Sequence, residues 1–423
     1  MDNTKQSSKG IHYAWFVMLG LGFLTAGSVG CYTVLIGSFL PYASASMHVQ
    51  YSQFSYFFTA LLLALAATLP FVNNILEKHN VPVILSAATI IETAVGFLMS
   101  TFSYVWEFYV GAVVIGICMA FLCMVPMAVI LDNWFDKKVG LANGICWSIN
   151  SVFLAVMSPV ITKCITNYGW RTSFIILAVI GGIFMIPAAI FVIRYRPSDK
   201  GMHPYGYDPN AHQASSQSEQ QVHQTTVSAA AILKSPAFII MALILCAVQL
   251  ISVMNQVFPT YATTSGLGAT TGGFMVSCAM IFDLVFNPLM GWTCDHFGAE
   301  KALLGWTVLS TISFVVLIYA TMIKSAGLAI FGAGINDVMY VFCGTGITTL
   351  AMFAFQNGSF DKAFSYIVSI GYIVSSFGMP IIMNIYQKFD NFNAVFIYAA
   401  SLSIVIFVLI ILVVHFPFKP EKA

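Results

Sequence analysis

The sequence predicts an all-α membrane protein of twelve transmembrane helices, and three observations carry that reading. Of its 423 residues, 59% are hydrophobic and only 8% are charged, against roughly 25% charged in water-soluble chains. The apolar residues gather in runs of about 20, the length that crosses the hydrocarbon layer as a helix. These runs are continuous and lack the period-2 alternation of barrel strands. At ~150 residues per domain the length would allow about three soluble domains, but the composition excludes them. It equally excludes a disordered chain, a collagen-like chain and a disulfide scaffold. The net charge of +1, from 17 Lys+Arg against 16 Asp+Glu, leaves no basic field to attract nucleic acid.

The spans lie near 14–42, 51–74, 81–103, 105–132, 138–164 and 171–194, then 236–262, 268–292, 301–322, 326–355, 362–386 and 393–416. From Ile11 to Leu76 there is no Asp, Glu, Lys or Arg, and the first break is a polar turn of Pro41, Ser44, Ser46 and His48. The polar start, Met1 to Gly10, carries Lys5 and Lys9. The apolar stretch after it is too long for a signal-peptide core and lacks a small-residue cleavage site, so the first span is expected to be retained.

Counting Lys and Arg by side sets the expected orientation. With the N-terminus inside, that side holds Lys5, Lys9, Lys78, Lys137, Lys138, Arg194, Arg196, Lys200, Lys234, Lys301, Lys362, Lys419 and Lys422. The other side holds Lys163, Arg171, Lys324 and Lys388, so the 17 cations divide 13 to 4. Both termini are therefore expected to be cytoplasmic, with the plasma membrane as the expected location. Trp15 and Trp134 fall near inner span ends, and Trp106 and Trp170 near outer ends, as an aromatic belt would place them. The nine cysteines, Cys31, Cys118, Cys146 and Cys343 among them, show no metal-ligand spacing and read as small apolar packers.

One long polar segment, 196–234, is rich in Ser, Gln and His and too polar to form a packed core. It separates six spans in 1–195 from six in 235–423. Internal similarity fits that division. Phe135-Asp136-Lys137 after span 4 matches Phe360-Asp361-Lys362 after span 10. The stretch Gly291 to Lys301 after span 8 has its counterpart in Asn73 to Asn80 after span 2, where Glu77 and Lys78 stand for Asp295 and His296. The matches and the 6+6 count argue for a duplicated bundle.

The pattern Gly291, Asp295, His296, Gly298, Lys301 resembles the signature of the major facilitator superfamily, between the second and third helices of each half; Asn73, Glu77 and Asn80 are an eroded first copy. Three stretches resemble the monocarboxylate and oxalate–formate branch: Asn133 to Gly144, Tyr168 to Phe174 and Arg196 to Gly201. The resemblance implies two six-helix bundles that rock about a central cavity, acting as a monomer, with Asp295 and Lys301 as an inner clamp. Gly291 and Gly298 are expected to allow a tight turn there. It also implies that span 10 lines the cavity, that span 8 lies between the halves and that span 3 is peripheral.

An ionisable residue deep in a span costs ~2.5–3.5 kcal/mol on insertion scales. Three are present: Glu92 in span 3, Asp283 in span 8 and Asp337 in span 10, with no Lys or Arg comparably deep. Burial favours the neutral form of a carboxyl, so Asp283 and Asp337 are read as proton-coupling residues. Glu92 is read as bonding a neighbouring helix. In span 8, Asp283 is followed one turn later by Asn287, where the resembling carriers have an arginine; the i, i+4 spacing puts an acid and an amide on one face. Spans 1 and 11 also lack the lysines those carriers use to hold anions. Burying an anion without a cation is expensive, which points away from a simple carboxylate as the solute. Tyr32, Asn150, Asn255, Gln256, Asn287, Tyr340 and Tyr372 are the candidate solute contacts, each able instead to hydrogen-bond between helices.

The expected function is proton-coupled transport of a small organic solute by alternating access, with the bilayer and protons as partners and no cofactor or metal. A carboxylate uniporter or exchanger is the alternative within transport, and a transport-inactive sensor or scaffold the alternative outside it. No nucleophile–base pair, metal motif or phosphate loop suggests an enzyme.

Overall fold

The computed structural model describes residues 11–123, 125–207, 232–355 and 360–416. Among them there is no strand; an isolated bridge joins Phe135 and Tyr205. Eleven helices are long and apolar enough to cross a membrane. The longest, Val139–Val192, contains Gly169 at φ 81° and ψ 160°, outside helical space, so it makes two crossings. We number the twelve crossings α1 (Tyr13–Ser38), α2 (Tyr51–Val72), α3 (Val81–Leu98), α4 (Val105–Trp134), α5 and α6 (139–168 and 170–192), α7 (Pro236–Thr264), α8 (Ala269–Phe297), α9 (Ala299–Ile323), α10 (Ala326–Ala354), α11 (Tyr366–Phe389) and α12 (Phe392–His415). Large apolar side chains such as Phe71, Val83, Ile183, Val315 and Ile397 stay exposed on the outer surface, as contact with lipid requires.

Several boundaries differ from those the sequence predicts. The helix of α2 continues to Lys78 and α8 to Phe297, because polar residues can prolong a helix beyond the hydrocarbon layer. The expected loop between spans 5 and 6 reduces to Gly169. Span 1 ends earlier, and a separate helix, Leu40–Met47, follows it with Pro41 in its first turn. Local caps agree with the sequence elsewhere. Ser235 and Ser325 accept backbone N–H groups of Phe238 and Leu328 at the starts of α7 and α10.

The first helix of each three-helix unit is interrupted. α1 is π-helical over Ala26–Val34 and 3₁₀ over Leu35–Ser38. α4 breaks at Cys123, whose backbone is extended, and α7 at Val253. α10 breaks at Asp337 and is π-helical over Phe342–Gly346. Such interruptions free backbone groups and are tolerated only where protein or a cavity surrounds them.

Helices α1–α6 form one bundle and α7–α12 another. With Tyr13 and His415 at one face, the near face, the following cross-bundle contacts among the described residues lie from mid-depth to the far face. Gly37 of α1 lies so close to α7 that an added Cβ would stand 2.2 Å from the Gln256 carbonyl oxygen. Gly273 of α8 presses on α5, where a Cβ would stand 2.9 Å from Pro159 Cα. Ser277 Oγ donates to the Ala155 carbonyl at 2.6 Å, Thr59 Oγ1 to the Ser376 carbonyl at 2.5 Å, and the tilted rings of Tyr51 and Tyr386 lie 5.9 Å apart between centroids.

At the near face the branch-like motifs meet one another. Trp134 Nε1 donates to the Arg194 carbonyl at 2.8 Å and Asn133 Nδ2 to the Tyr195 carbonyl at 3.3 Å. Beyond Arg196, Pro197–Lys200 makes a 3₁₀ turn, and Tyr205 packs its ring on Trp15 and Phe135. The start of the polar segment thus folds back on the first bundle. Residues 208–231 of that segment lie outside the described residues, as do the side chains of Asn73, Glu77, Asp361 and Lys362.

Candidate functional site

Three carboxyl side chains lie in the helical core: Glu92 is 0% exposed, Asp283 5% and Asp337 1%. Every described Lys and Arg side chain is exposed or half-buried, so the acids have no fully buried cation among the described residues. Their hydrogen bonds therefore decide what each can do.

Asp283 faces the first bundle from α8. Ser151 Oγ of α5 donates to its Oδ2 at 2.6 Å, across the bundle boundary. Asn287, one turn along, donates through Nδ2 to Asp283 Oδ1 at 2.8 Å and to its carbonyl at 3.1 Å. The amide is itself oriented by Thr345 Oγ1, from the π-segment of α10, which donates to Asn287 Oδ1 at 2.8 Å. The i, i+4 pairing expected from sequence is thus present, as an acid–amide pair.

Asp337 lies at the break in α10. Asn255 Nδ2 of α7 donates to its Oδ1 at 2.9 Å, and no donor reaches Oδ2. The carboxyls of Asp283 and Asp337 are within hydrogen-bonding reach of each other. Both Asp283 oxygens already accept, so the hydrogen between the two groups belongs on Asp337 Oδ2. Two adjacent carboxyls in a dry site share a proton rather than both ionising. Tyr340, one turn along α10, is in electrostatic reach of Asp283, Asp337, Cys343 and Tyr372. Tyr372 of α11 is in turn in electrostatic reach of Cys343 and, from the first bundle, Cys123.

The structure therefore gathers Asn255 and Asn287 at the acid pair, with Tyr340 in its electrostatic reach and Tyr372 in that of Tyr340. It sends the other three candidates elsewhere. Tyr32 is fully buried against α3, its hydroxyl donating to the Glu92 carbonyl at 3.5 Å. Asn150 Oδ1 abuts Gly30 of α1 and has no hydrogen-bond partner. Gln256 lies at the α1–α7 crossing, its carbonyl against Gly37 and its Oε1 unpartnered. Ser151 and Thr345 escape a sequence reading, since single hydroxyls are common in membrane helices. The one available signal is that Ser151 adjoins Asn150.

The near-face motif differs in one respect from expectation. Gly291 lies inside α8, and the turn into α9 falls on Gly298 alone, whose φ of 86° favours a residue without a Cβ. Asp295, His296 and Lys301 are exposed, and Trp292 stacks on His296 with ring centroids 5.4 Å apart. No group of three His, Cys, Asp or Glu among the described residues could hold a metal.

The model of the Major Facilitator Superfamily matches residues 18–379, most of the chain. The chain belongs to this superfamily. Among similar sequences are chicken (Gallus gallus) monocarboxylate transporter 3, 26% identical over 45% of this chain and 34% of that protein, and chicken monocarboxylate transporter 4, 24% identical over 66% and 56%. The matches thus span about a third to a half of those relatives' length. Among solved structures, a D-xylose–proton symporter superposes with a TM-score of 0.71 at 13% identity, covering 96% of this chain and 98% of that one. A bacterial homologue of the human lysosomal transporter Spinster, inward-facing and occupied, gives 0.71 at 14% identity, covering 97% and 100%. These likenesses establish the major facilitator fold of a multi-pass membrane protein. Fold and relatives are those of transporters, not of enzymes.

Proposed function

We propose that this major facilitator protein is a proton-coupled secondary transporter of a small organic solute, working by alternating access of its two bundles. The observation that carries the reading is the Asp283–Asp337 pair, buried without a cation and bonded across the bundle boundary through Ser151. A carboxyl pair that holds one proton can accept a second. Doing so weakens its demand for donors, and the Ser151 bond is one of those donors. Proton binding and the contact between bundles therefore act on one another, as a coupled carrier needs. Asn255, Asn287, Tyr340 and Tyr372 would then offer a neutral, polar solute directional contacts on an otherwise apolar wall. The same reading takes 1–195 and 235–423 as the moving units joined by 196–234, a monomer in the plasma membrane with both termini cytoplasmic.

The test is solute uptake into proteoliposomes driven by an inward proton gradient, with Asp283→Asn. Gradient-driven accumulation should disappear while solute exchange persists; unchanged accumulation would refute the assignment. A carboxylate uniporter or exchanger is the second reading, and the names of the monocarboxylate relatives favour it. Asn287 and the lack of a buried cation weigh against it. A thermal-shift screen with lactate-like and oxalate-like anions beside neutral metabolites, at two pH values, separates the two, since ligands stabilise by mass action.

A further inference from the structure

The acid pair leaves Glu92 unexplained. Its side chain is fully buried, and Ser28 Oγ of α1 lies 2.7 Å from one carboxyl oxygen and 3.0 Å from the other. The titratable groups that face it are Cys31 and Tyr32 from α1 and Cys118 and Cys123 from α4. None is a cation, and Ala178 and Gly182 of α6 lie against the adjoining turns of α3. An ionised carboxylate presents about four acceptor sites, and here it would have a single hydroxyl to fill them. A protonated carboxyl donates its own hydrogen to Ser28 Oγ, so the pair is satisfied with no further partner.

Ser28 is placed by an irregular stretch of helix. It lies in the π-helical segment Ala26–Val34, which carries an extra residue relative to an α-helix. Restoring α-helical register would rotate one flank against the other by about 100° and carry the Ser28 hydroxyl away from Glu92. The far end of the same helix is pinned to the second bundle at Gly37 and Gln256. Parting the bundles at the far face therefore pulls on the helix that holds Ser28. The second bundle has a matching arrangement, in which Thr345, from the π-segment of α10, holds the amide that holds Asp283.

We infer that Glu92 is a second proton-binding site, loaded in this conformation and exchangeable when α1 moves, with Ser28 linking its occupancy to that movement. Its role in transport rests on the proton-coupled reading above; its existence as a site does not. The experiment uses the full chain in lipid nanodiscs and reads the infrared carbonyl stretch of protonated carboxyl groups, whose hydrogen is replaced by deuterium on transfer to heavy water. Glu92→Gln should remove one such band. Ser28→Ala should shift that band by removing its hydrogen bond, and Asp283→Asn and Asp337→Asn should leave it in place. A bis-methanethiosulfonate cross-linker, joined by a disulfide to each of Tyr51→Cys and Tyr386→Cys so that it locks the far face, should slow deuterium exchange of that band at least ~10-fold, with recovery on reduction.

Absence of the band in the wild type, or its persistence in Glu92→Gln, would overturn the inference. So would exchange at the same rate with and without the cross-link, which would mark the proton as structural. Should Glu92→Gln fail to fold, the Ser28→Ala shift and the cross-link dependence still decide. Loss of proton-driven uptake in Asp283→Asn is measured separately, so either reading can fail alone.

Discussion

The buried acids of the two bundles are held in different ways. Glu92 is bonded within its own bundle, by one hydroxyl from a neighbouring helix. Asp283 is bonded by a hydroxyl from the other bundle and an amide from its own helix, and it shares its surroundings with a second acid. A carboxyl whose partners belong to one bundle registers the other bundle only indirectly, through the helix that carries its partner, here α1. A carboxyl whose partners belong to two bodies registers their relative position. The contrast separates a proton site linked to alternating access through one helix from a site bonded directly across the boundary, and the variants below are chosen to break it.

The largest effect is expected at the acid pair. Asp283→Asn and Asp337→Asn should each abolish gradient-driven uptake, and the double variant should be no worse than either, because groups that act as a unit are not additive. Additive losses would mean two independent sites. Next is Gly37→Val, which places a side chain where the Gln256 carbonyl stands 2.2 Å from the Cβ position. Backbone cannot yield there as a flexible side chain would, so the far face should be held open. Labelling of a single cysteine at Thr59, whose hydroxyl bonds Ser376 across that face, should rise steeply. A smaller shift is expected for Ser151→Ala. Losing one buried hydrogen bond to a charged group is worth ~1.5–3 kcal/mol, a roughly 10- to 150-fold change in the far-face equilibrium, read by the same labelling. An equal effect from Ser28→Ala would erase the distinction between the bundles.

Much of this was legible in the sequence, and what was not has a physical reason. Apolar run length located the twelve crossings, and counting showed that no Lys or Arg stands deep in a predicted span. The spacing of Asp283 and Asn287 announced their bond. The pairing of Asp283 with Asp337 was not legible, because it joins two helices whose relative rotation no periodicity records. Tyr32 had the chemistry of a cavity residue but lies against Gly96, where a Cβ would stand 2.1 Å from its hydroxyl, and the space a glycine leaves is invisible until its neighbour is known. The π-segments were hidden too. Glycines such as Gly27 and Gly30 in α1 do not by themselves announce a π-turn, which is set by packing, here with Gly27 against Met185 and the Gly181 carbonyl.

The smallest effect probes the outer layer of the acid pair. Thr345 touches neither acid; it orients Asn287, which donates to Asp283. Thr345→Val keeps the shape of the side chain and removes the donor, leaving the amide free to flip and present its oxygen to the carboxyl. A hydrogen bond between membrane helices is worth ~0.6 kcal/mol on average, so thermal stability should barely change. The consequence belongs to the proton: a flipped amide accepts from Asp283 rather than donating to it, which favours the protonated acid. The pH at which gradient-driven uptake is half-maximal should therefore rise. A Thr345→Val profile that overlays the wild type would show that Asn287 is oriented without its help.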